Sequence, residues 1–266
     1  MKTLTLRDGA LSYQLKGSGP SLLLLHAGVA DSRMWDDQVD RLAKRLRVVR
    51  CDLRGFGRSV LPNGPFAHHE DVRALVEALD LAPTCLVGAS FGARVAIDLA
   101  LACPALVRGL ILVSPVVSGF TPTGEVARFN EHEDALLAAG ELADATELNL
   151  RMWVDGPHRA SGDVDPVVRQ RVGEMQLRAF SQPEPEGVSL IGMTPPAIDR
   201  LHEIRQPALI VSGELDVSEF LQLAGLMAEA IPRATRIVVP GAAHMVSMER
   251  PGQFHDLALG AALGMQ

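Results

Sequence analysis

Gly88-Ala89-Ser90-Phe91-Gly92 lies between an apolar run, Thr84–Gly88, and a segment of helical spacing that reaches Cys103. A serine at a sharp strand-to-helix turn is lifted above the end of its sheet. Glycine two residues to either side leaves room for the close approach of neighbouring backbone. The start of a helix also aims unpaired N–H groups and the positive end of the helix dipole at negative charge developing near the serine. The chemistry this suggests is attack by Ser90 on an acyl carbon. Taken alone, the pattern equally suits a serine that caps its own helix, so the partners decide.

A serine hydroxyl needs a base to become a nucleophile, and a neutral histidine is the natural one. His244 follows the strand-like run Thr235–Val239 in Pro240-Gly241-Ala242-Ala243-His244, read as a mobile loop at a strand's C-terminal end. Ligand-facing residues of an open α/β sheet belong there. An acid that orients the histidine is expected after the preceding strand, Ala208–Ser212, in Gly213-Glu214-Leu215-Asp216. Asp216 is favoured and Glu214 is the alternative. A buried carboxylate in that place fixes the imidazole tautomer and stabilises the imidazolium formed during acylation. Activity is then expected to fall at acid pH as the histidine protonates. Two backbone N–H groups are needed for the oxyanion: that of Phe91, next to the nucleophile, and that of Gly28, in the loop after Leu22–His26. His26 is read as ordering that loop by hydrogen bonding. His68, His69, His132, His158, His202 and His255 fall on polar helix faces or loops and are expected to be solvated.

The elements that must position these residues follow an α/β rhythm. A hairpin opens the chain, Lys2–Arg7 and Ala10–Lys16 about the Asp8-Gly9 turn signal. Strands are predicted at Leu22–His26, Val48–Leu53, Thr84–Gly88, Gly109–Val113, Ala208–Ser212 and Thr235–Val239. Helices are predicted at Asp31–Arg47, Glu70–Leu81, Ser90–Cys103, Val217–Ala230 and from Pro251. Such alternation implies a mostly parallel central sheet with helices on both faces. Between Ser118 and Arg205 the rhythm fails. Helical patterns (Glu125–Ala139, Glu141–Trp153, Pro166–Phe180) stand there without a convincing strand. The expected organisation is a core of residues 1–117 and 206–266 with an inserted helical cap, 118–205.

Composition narrows the function classes. The chain has 266 residues, 47% hydrophobic, with net charge −7 and no basic run, which argues against nucleic acid and anionic membrane as partners. Neither a signal-peptide core nor an apolar run of transmembrane length is present in the sequence, and Cys51, Cys85 and Cys103 suit reduced, packed thiols. A cytoplasmic protein is expected. With no CxxC or His/Cys cluster, no metal site is expected.

With these residues assembled, the chain resembles the α/β-hydrolase superfamily along nearly its whole length, and above all its small carboxylesterases and enol-lactonase-like hydrolases. The matching features are His26-Ala27-Gly28 with Trp35 nine residues after His26, Asp52-Leu53-Arg54-Gly55-Phe56-Gly57-Arg58-Ser59, the Ser90 elbow, Gly213-Glu214-Leu215-Asp216, and Gly241-Ala242-Ala243-His244. Ala27 departs from the glycine usual in the family's His-Gly pattern. The resemblance implies a serine hydrolase that cleaves a small-molecule carboxylic ester of short to medium acyl length, or a lactone, through an acyl-enzyme with a Ser-His-Asp triad and no cofactor. Haloalkane dehalogenases and epoxide hydrolases of the superfamily use Asp where Ser90 stands, which argues against both chemistries.

Alternatives remain. Carbon–carbon hydrolases of ring-cleavage products usually carry an aromatic residue after the histidine, where Met245 stands. Perhydrolases favour proline where Val29 follows Gly28. Acyl transfer shares the acyl-enzyme. A non-catalytic ligand-binding receptor would be supported by loss of the serine, the histidine or the elbow glycines, all of which are present. The substrate pocket is expected to be mostly apolar. Phe120, Phe129, Leu136, Met152, Trp153, Met175 and Leu190 are its candidate lining residues from the insert; Trp153 is the strongest, and Met245 is a candidate beside the histidine.

Overall fold

Strand pairing in the computed structural model, which describes residues 1–265, begins with the expected hairpin: β1 (Lys2–Leu6) lies antiparallel to β2 (Gly9–Lys16). β3 (Ser21–Leu25), β4 (Arg47–Cys51), β6 (Thr84–Ala89), β7 (Val107–Val113), β9 (Ala208–Gly213) and β10 (Ala234–Val239) complete an eight-stranded sheet in the order β1-β2-β4-β3-β6-β7-β9-β10. β4 pairs antiparallel with β2, and every later neighbour pair is parallel. The central strands are apolar on both sides because both faces are covered. Leu22 and Leu24 join one core cluster with Trp35, Val39, Leu42 and Phe254, while Leu23 and Leu25 join the other with Val72, Leu75, Ala96 and Leu99.

Helices α1 (Asp36–Leu42) and α9 (Pro251–Gly264) cover the first face; α2 (His68–Ala78) and α3 (Phe91–Ala102) cover the second. The helix predicted over Asp31–Arg47 is shorter than expected. Asp31 caps a 3₁₀ turn at Ser32–Trp35 by accepting from the Arg33 N–H at 2.9 Å, and α1 ends at Leu42. Arg47 already belongs to β4, opposite Ser21. The connection Gly17–Gly19 also crosses the end of the helix: a Cβ on Gly17 would stand 2.4 Å from the Ala43 carbonyl oxygen and 2.3 Å from that of Leu46.

Between β7 and β9 the chain forms α4 (Gly124–Ala138), α5 (Leu142–Asn149), a π-helical turn Leu150–Asp155 and α6 (Pro166–Phe180). A strand was not expected there, yet β8 (Ser189–Leu190) pairs parallel with β5 (Pro65–Phe66). Two residues without period-2 alternation carry no sequence signal of their own. The following 3₁₀ helix, Ala197–Glu203, returns to the core and buries Ala197 and Leu201. After β9 come α7 (Ser218–Ala230), then β10 and the one-turn α8 (Val246–Glu249).

Cys51 and Cys85 are buried and unpaired, and Cys103 is half-buried. Burial pushes both buried thiols up, Cys85 to about 12. Among the described residues no helix is long and apolar enough to cross a membrane.

Candidate active site

Ser90 sits between β6 and α3 with φ 49° and ψ −109°, a region that non-glycine residues rarely occupy. Its N–H is held by the Val113 carbonyl at 2.8 Å, so the strained turn is fixed to the adjacent strand. The flanking glycines answer to backbone. A Cβ on Gly88 would stand 2.4 Å from the Gly92 carbonyl oxygen, and one on Gly92 would stand 2.4 Å from that of Leu25 and 2.6 Å from that of His26. Neither contact can be relieved by rotating a side chain.

Gly28 and Phe91 are brought together, with a Cβ on Gly28 only 3.5 Å from the Phe91 Cβ. The Phe91 N–H opens α3, ahead of the first N–H with an intrahelical acceptor, that of Ala93 on the Ser90 carbonyl at 2.9 Å. His26 orders the neighbouring loop, as expected. Its Nε2 accepts from the Leu53 N–H at 2.9 Å, which places the proton on Nδ1, 2.8 Å from the Ala27 carbonyl. Burial lowers the pKa of this ring and keeps it neutral. Ala27 is accommodated in full burial, with its N–H on Met34 Sδ at 3.3 Å.

The Asp52–Ser59 segment, whose role the sequence left open, holds these loops together. Asp52 accepts from the Ser32 and Arg58 N–H groups at 2.9 and 3.0 Å. Ser59 donates to the Asp52 carbonyl at 2.7 Å and accepts from the Ser12 N–H at 2.8 Å. Arg54 faces the same cavity as Ser90, but Asp71 binds it in a buried bidentate pair at 2.7 and 2.8 Å, and Asp8 accepts from it through its carboxylate at 2.8 Å and its carbonyl at 3.4 Å.

His244 and Asp216 meet at the far ends of β10 and β9. Both Asp216 carboxylate oxygens lie 3.0 Å from His244 Nδ1, and Oδ1 also accepts from the Val217 N–H at 2.8 Å. Glu214 instead accepts from the Gly241 N–H at 3.0 Å and stays away from the ring. Gly213 makes this crossing possible, since a Cβ there would stand 2.1 Å from the Ala243 carbonyl oxygen.

The histidine loop is anchored, contrary to its reading as mobile. Glu249 accepts from the Ala243 N–H at 2.9 Å and pairs at 2.7 Å with Arg159, which also donates to the carbonyls of Val154 and Asp155. Trp153 lies 4.9 Å from the His244 ring and stacks on Phe220 at 5.4 Å, so two aromatic faces shield the imidazole. Phe220, on the first turn of α7, was not anticipated, although it lies one helical turn after Asp216.

Ser90 and His244 line one cavity of about 490 Å³, the size of a small-ligand site. Gly28, Trp153, Phe129 and Phe220 line it too. Of the other pocket candidates, Met152 and Met245 are buried in the core cluster beneath, and Phe120 packs edge-on against Phe220 and borders a separate surface groove. Met175 is likewise buried in the core, and Leu136 and Leu190 do not reach the cavity. The cavity is mostly apolar, as expected, but Asn130, Glu133, Asn149 and Gln176 add a polar patch to its wall. They come from three separate helices, and no periodicity within one segment announces them.

Two histidines expected to be solvated are buried, His68 and His255. His68 lies edge-on to both Phe66 and Phe91, at 4.9 and 5.0 Å, with Nδ1 unpartnered. Its position at the start of α2 beside polar His69 and Glu70 concealed this. Burial, helped by the nearby cations Arg94 and Arg54, pushes its pKa down from 6.5 to about 3. Below pH 6.5 the unfolded chain therefore takes up a proton that the fold refuses. The His68 contribution to stability is expected to fall as pH drops from 6.5 toward about 3, by at most about 1.4 kcal/mol per pH unit, and to level off below that. His68→Phe is expected to flatten the slope, with the residue left by His26. Denaturant unfolding at pH 7 and pH 5 checks it; equal slopes in wild type and variant would refute this role.

With this geometry in view, a comparison with protein families is decisive: residues 22–257 match the model described as "Alpha/beta hydrolase family". The chain belongs to that family. A curated relative, the pimeloyl-[acyl-carrier protein] methyl ester esterase of Nitrosospira multiformis, is 31% identical over 262 residues, covering 92% of this chain and 95% of its own. A thermophilic esterase from Thermogutta terrifontis is similar in structure with TM-score 0.80 at 21% identity, covering 100% of this chain and 99% of the other. The enol-lactonase from Burkholderia xenovorans LB400 gives TM-score 0.71 at 22% identity, with 97% and 98% covered. These two structural likenesses speak for the α/β-hydrolase fold, and the sheet order and helices above agree with it.

Proposed function

We propose that this α/β hydrolase cleaves small carboxylic esters or lactones with Ser90 as nucleophile, His244 as base and Asp216 as the acid that orients the histidine. One observation carries the reading: a serine on a strained elbow shares a cavity with a histidine whose Nδ1 stands 3.0 Å from a buried carboxylate. The relative named for methyl-ester hydrolysis supports the choice of bond.

In this mechanism Ser90 Oγ attacks the carbonyl carbon while His244 Nε2 takes its proton. The oxyanion receives hydrogen bonds from the Phe91 and Gly28 N–H groups, each worth about 3 kcal/mol to the transition state. Collapse breaks the C–O bond, and the imidazolium protonates the departing alkoxide. His244 then takes a proton from water, which adds to the acyl-enzyme; the second collapse releases the acid and returns the proton to Ser90 Oγ. With a lactone, both products are one hydroxy acid. Residues 118–205 act as a cap that selects substrate, through Trp153 and Phe129 and the polar wall. A cytoplasmic setting belongs to the same proposal, in keeping with three unpaired thiols.

The test is hydrolysis of p-nitrophenyl esters from acetate to decanoate beside γ- and δ-lactones. Turnover that peaks at short to medium chain length, or that selects the lactones, is the expected result. Inertness toward the whole series would contradict the proposal.

A further inference from the structure

On the wall of the cavity, Asn149 is 2% exposed and Gln176 4% exposed, and each keeps a side-chain oxygen without a protein donor. The orientation of Asn149 is fixed, because its Nδ2 donates to the Ala145 carbonyl at 2.9 Å and to Glu133 Oε1. Both amide hydrogens are thereby engaged, and its Oδ1 remains as an acceptor. Glu133 accepts on one carboxyl oxygen only, and Gln176 Oε1 is buried without a partner. Polar groups held away from water are nearly always hydrogen-bonded, so the Gln176 carbonyl, on a residue of the cavity wall, is an acceptor that a turn of the side chain toward a bound donor would satisfy. Positive charge is not the complement on the opposite wall, where the carboxylates of Asp71 and Asp8 already neutralise Arg54.

Resting on the proposed ester chemistry at Ser90, we infer that Glu133, Asn149 and Gln176 form an acceptor subsite that selects substrates carrying a neutral hydrogen-bond donor, such as a secondary amide N–H, beside the scissile ester. Phe129, Trp153 and Phe180 line the same space and enclose the carbon skeleton around that donor. A chain lacking the donor leaves the acceptors unpaired after water is displaced, whereas a matching N–H satisfies them. The resulting selectivity exceeds what an extra methylene in an apolar pocket gives.

Matched pairs test this. On the acyl side, p-nitrophenyl 4-acetamidobutanoate is compared with its N-methyl analogue; on the alcohol side, 2-acetamidoethyl butanoate is compared with its own. The expected result is a kcat/KM at least about tenfold higher for the N–H member of one pair. Asn149→Leu and Gln176→Leu are each expected to bring that ratio within about threefold of unity. The ratio is internal to each variant, and the wild-type value stands even if one variant does not fold. A wild-type ratio under about threefold in both pairs, or a full ratio retained in both variants, would overturn the subsite. p-Nitrophenyl butanoate, which has no donor, separates the two readings. Its turnover without any N–H preference removes the subsite and leaves the ester-hydrolase reading standing. Inertness of every ester removes both.

Discussion

Ser90→Ala is expected to lower kcat/KM toward a reactive ester by about 10⁴-fold or more while leaving the fold in place, because removing the nucleophile of such a unit costs most of its rate enhancement. The substitution takes away one oxygen atom. The helix start and the Val113 bond to the residue 90 N–H do not involve that oxygen, so the backbone at Phe91 and Gly28 is expected to keep its place. Alanine also keeps the positive φ of 49° strained, so no large gain in stability is expected to confuse the result. Initial rates for wild type and variant, with thermal unfolding as a check on the fold, decide the matter. A loss under about tenfold would assign the chemistry to another residue.

Asp216→Asn has the second-largest expected effect, a fall in kcat of about 10³- to 10⁴-fold. The carboxylate is 1% exposed and accepts from both His244 Nδ1 and the Val217 N–H. An asparagine that keeps its oxygen on the Val217 N–H turns its NH₂ group toward Nδ1. That nitrogen must then accept, the ring proton moves to Nε2, and the imidazole can no longer take the Ser90 proton. KM is expected to change little, because Asp216 lies behind the histidine and does not line the cavity. Glu214→Gln, which alters the carboxylate on the Gly241 N–H, is expected to cost far less. Comparable losses in the two variants would overturn the assignment of Asp216 over Glu214.

The parts of the fold and site that are legible in the sequence are those where backbone crowds backbone. Gly88, Gly92 and Gly213 stand where a Cβ would come within 2.4 Å of a carbonyl oxygen, so the chain itself marks the elbow and the crossing of the Asp216 and histidine loops. Buried strands such as Ser21–Leu25 declare themselves by unbroken leucines, since both faces of a parallel sheet are covered. What the sequence hides is assembled from distant segments. Asn130, Glu133, Asn149 and Gln176 each look like ordinary polar positions on amphipathic helices until α4, α5 and α6 bring them to one wall. His68 and His255 fail in the same way, because polar sequence neighbours do not reveal which face of a helix meets the core. The helix end at Leu42 is set by the Gly17–Gly19 crossing and by the β3–β4 register, contacts that the local apolar spacing of Leu42 and Leu46 does not encode.

The central claim, that Ser90 forms a covalent acyl-enzyme, is tested most directly by trapping the nucleophile. Wild type is incubated with diethyl p-nitrophenyl phosphate, its intact mass is measured, and the modified peptide is sequenced by tandem mass spectrometry. The account predicts a single diethylphosphoryl group per chain, on Ser90, with activity lost in proportion to labelling and no label on Ser90→Ala. Label on a different residue, or ester turnover that persists in a fully unlabelled protein, would contradict it.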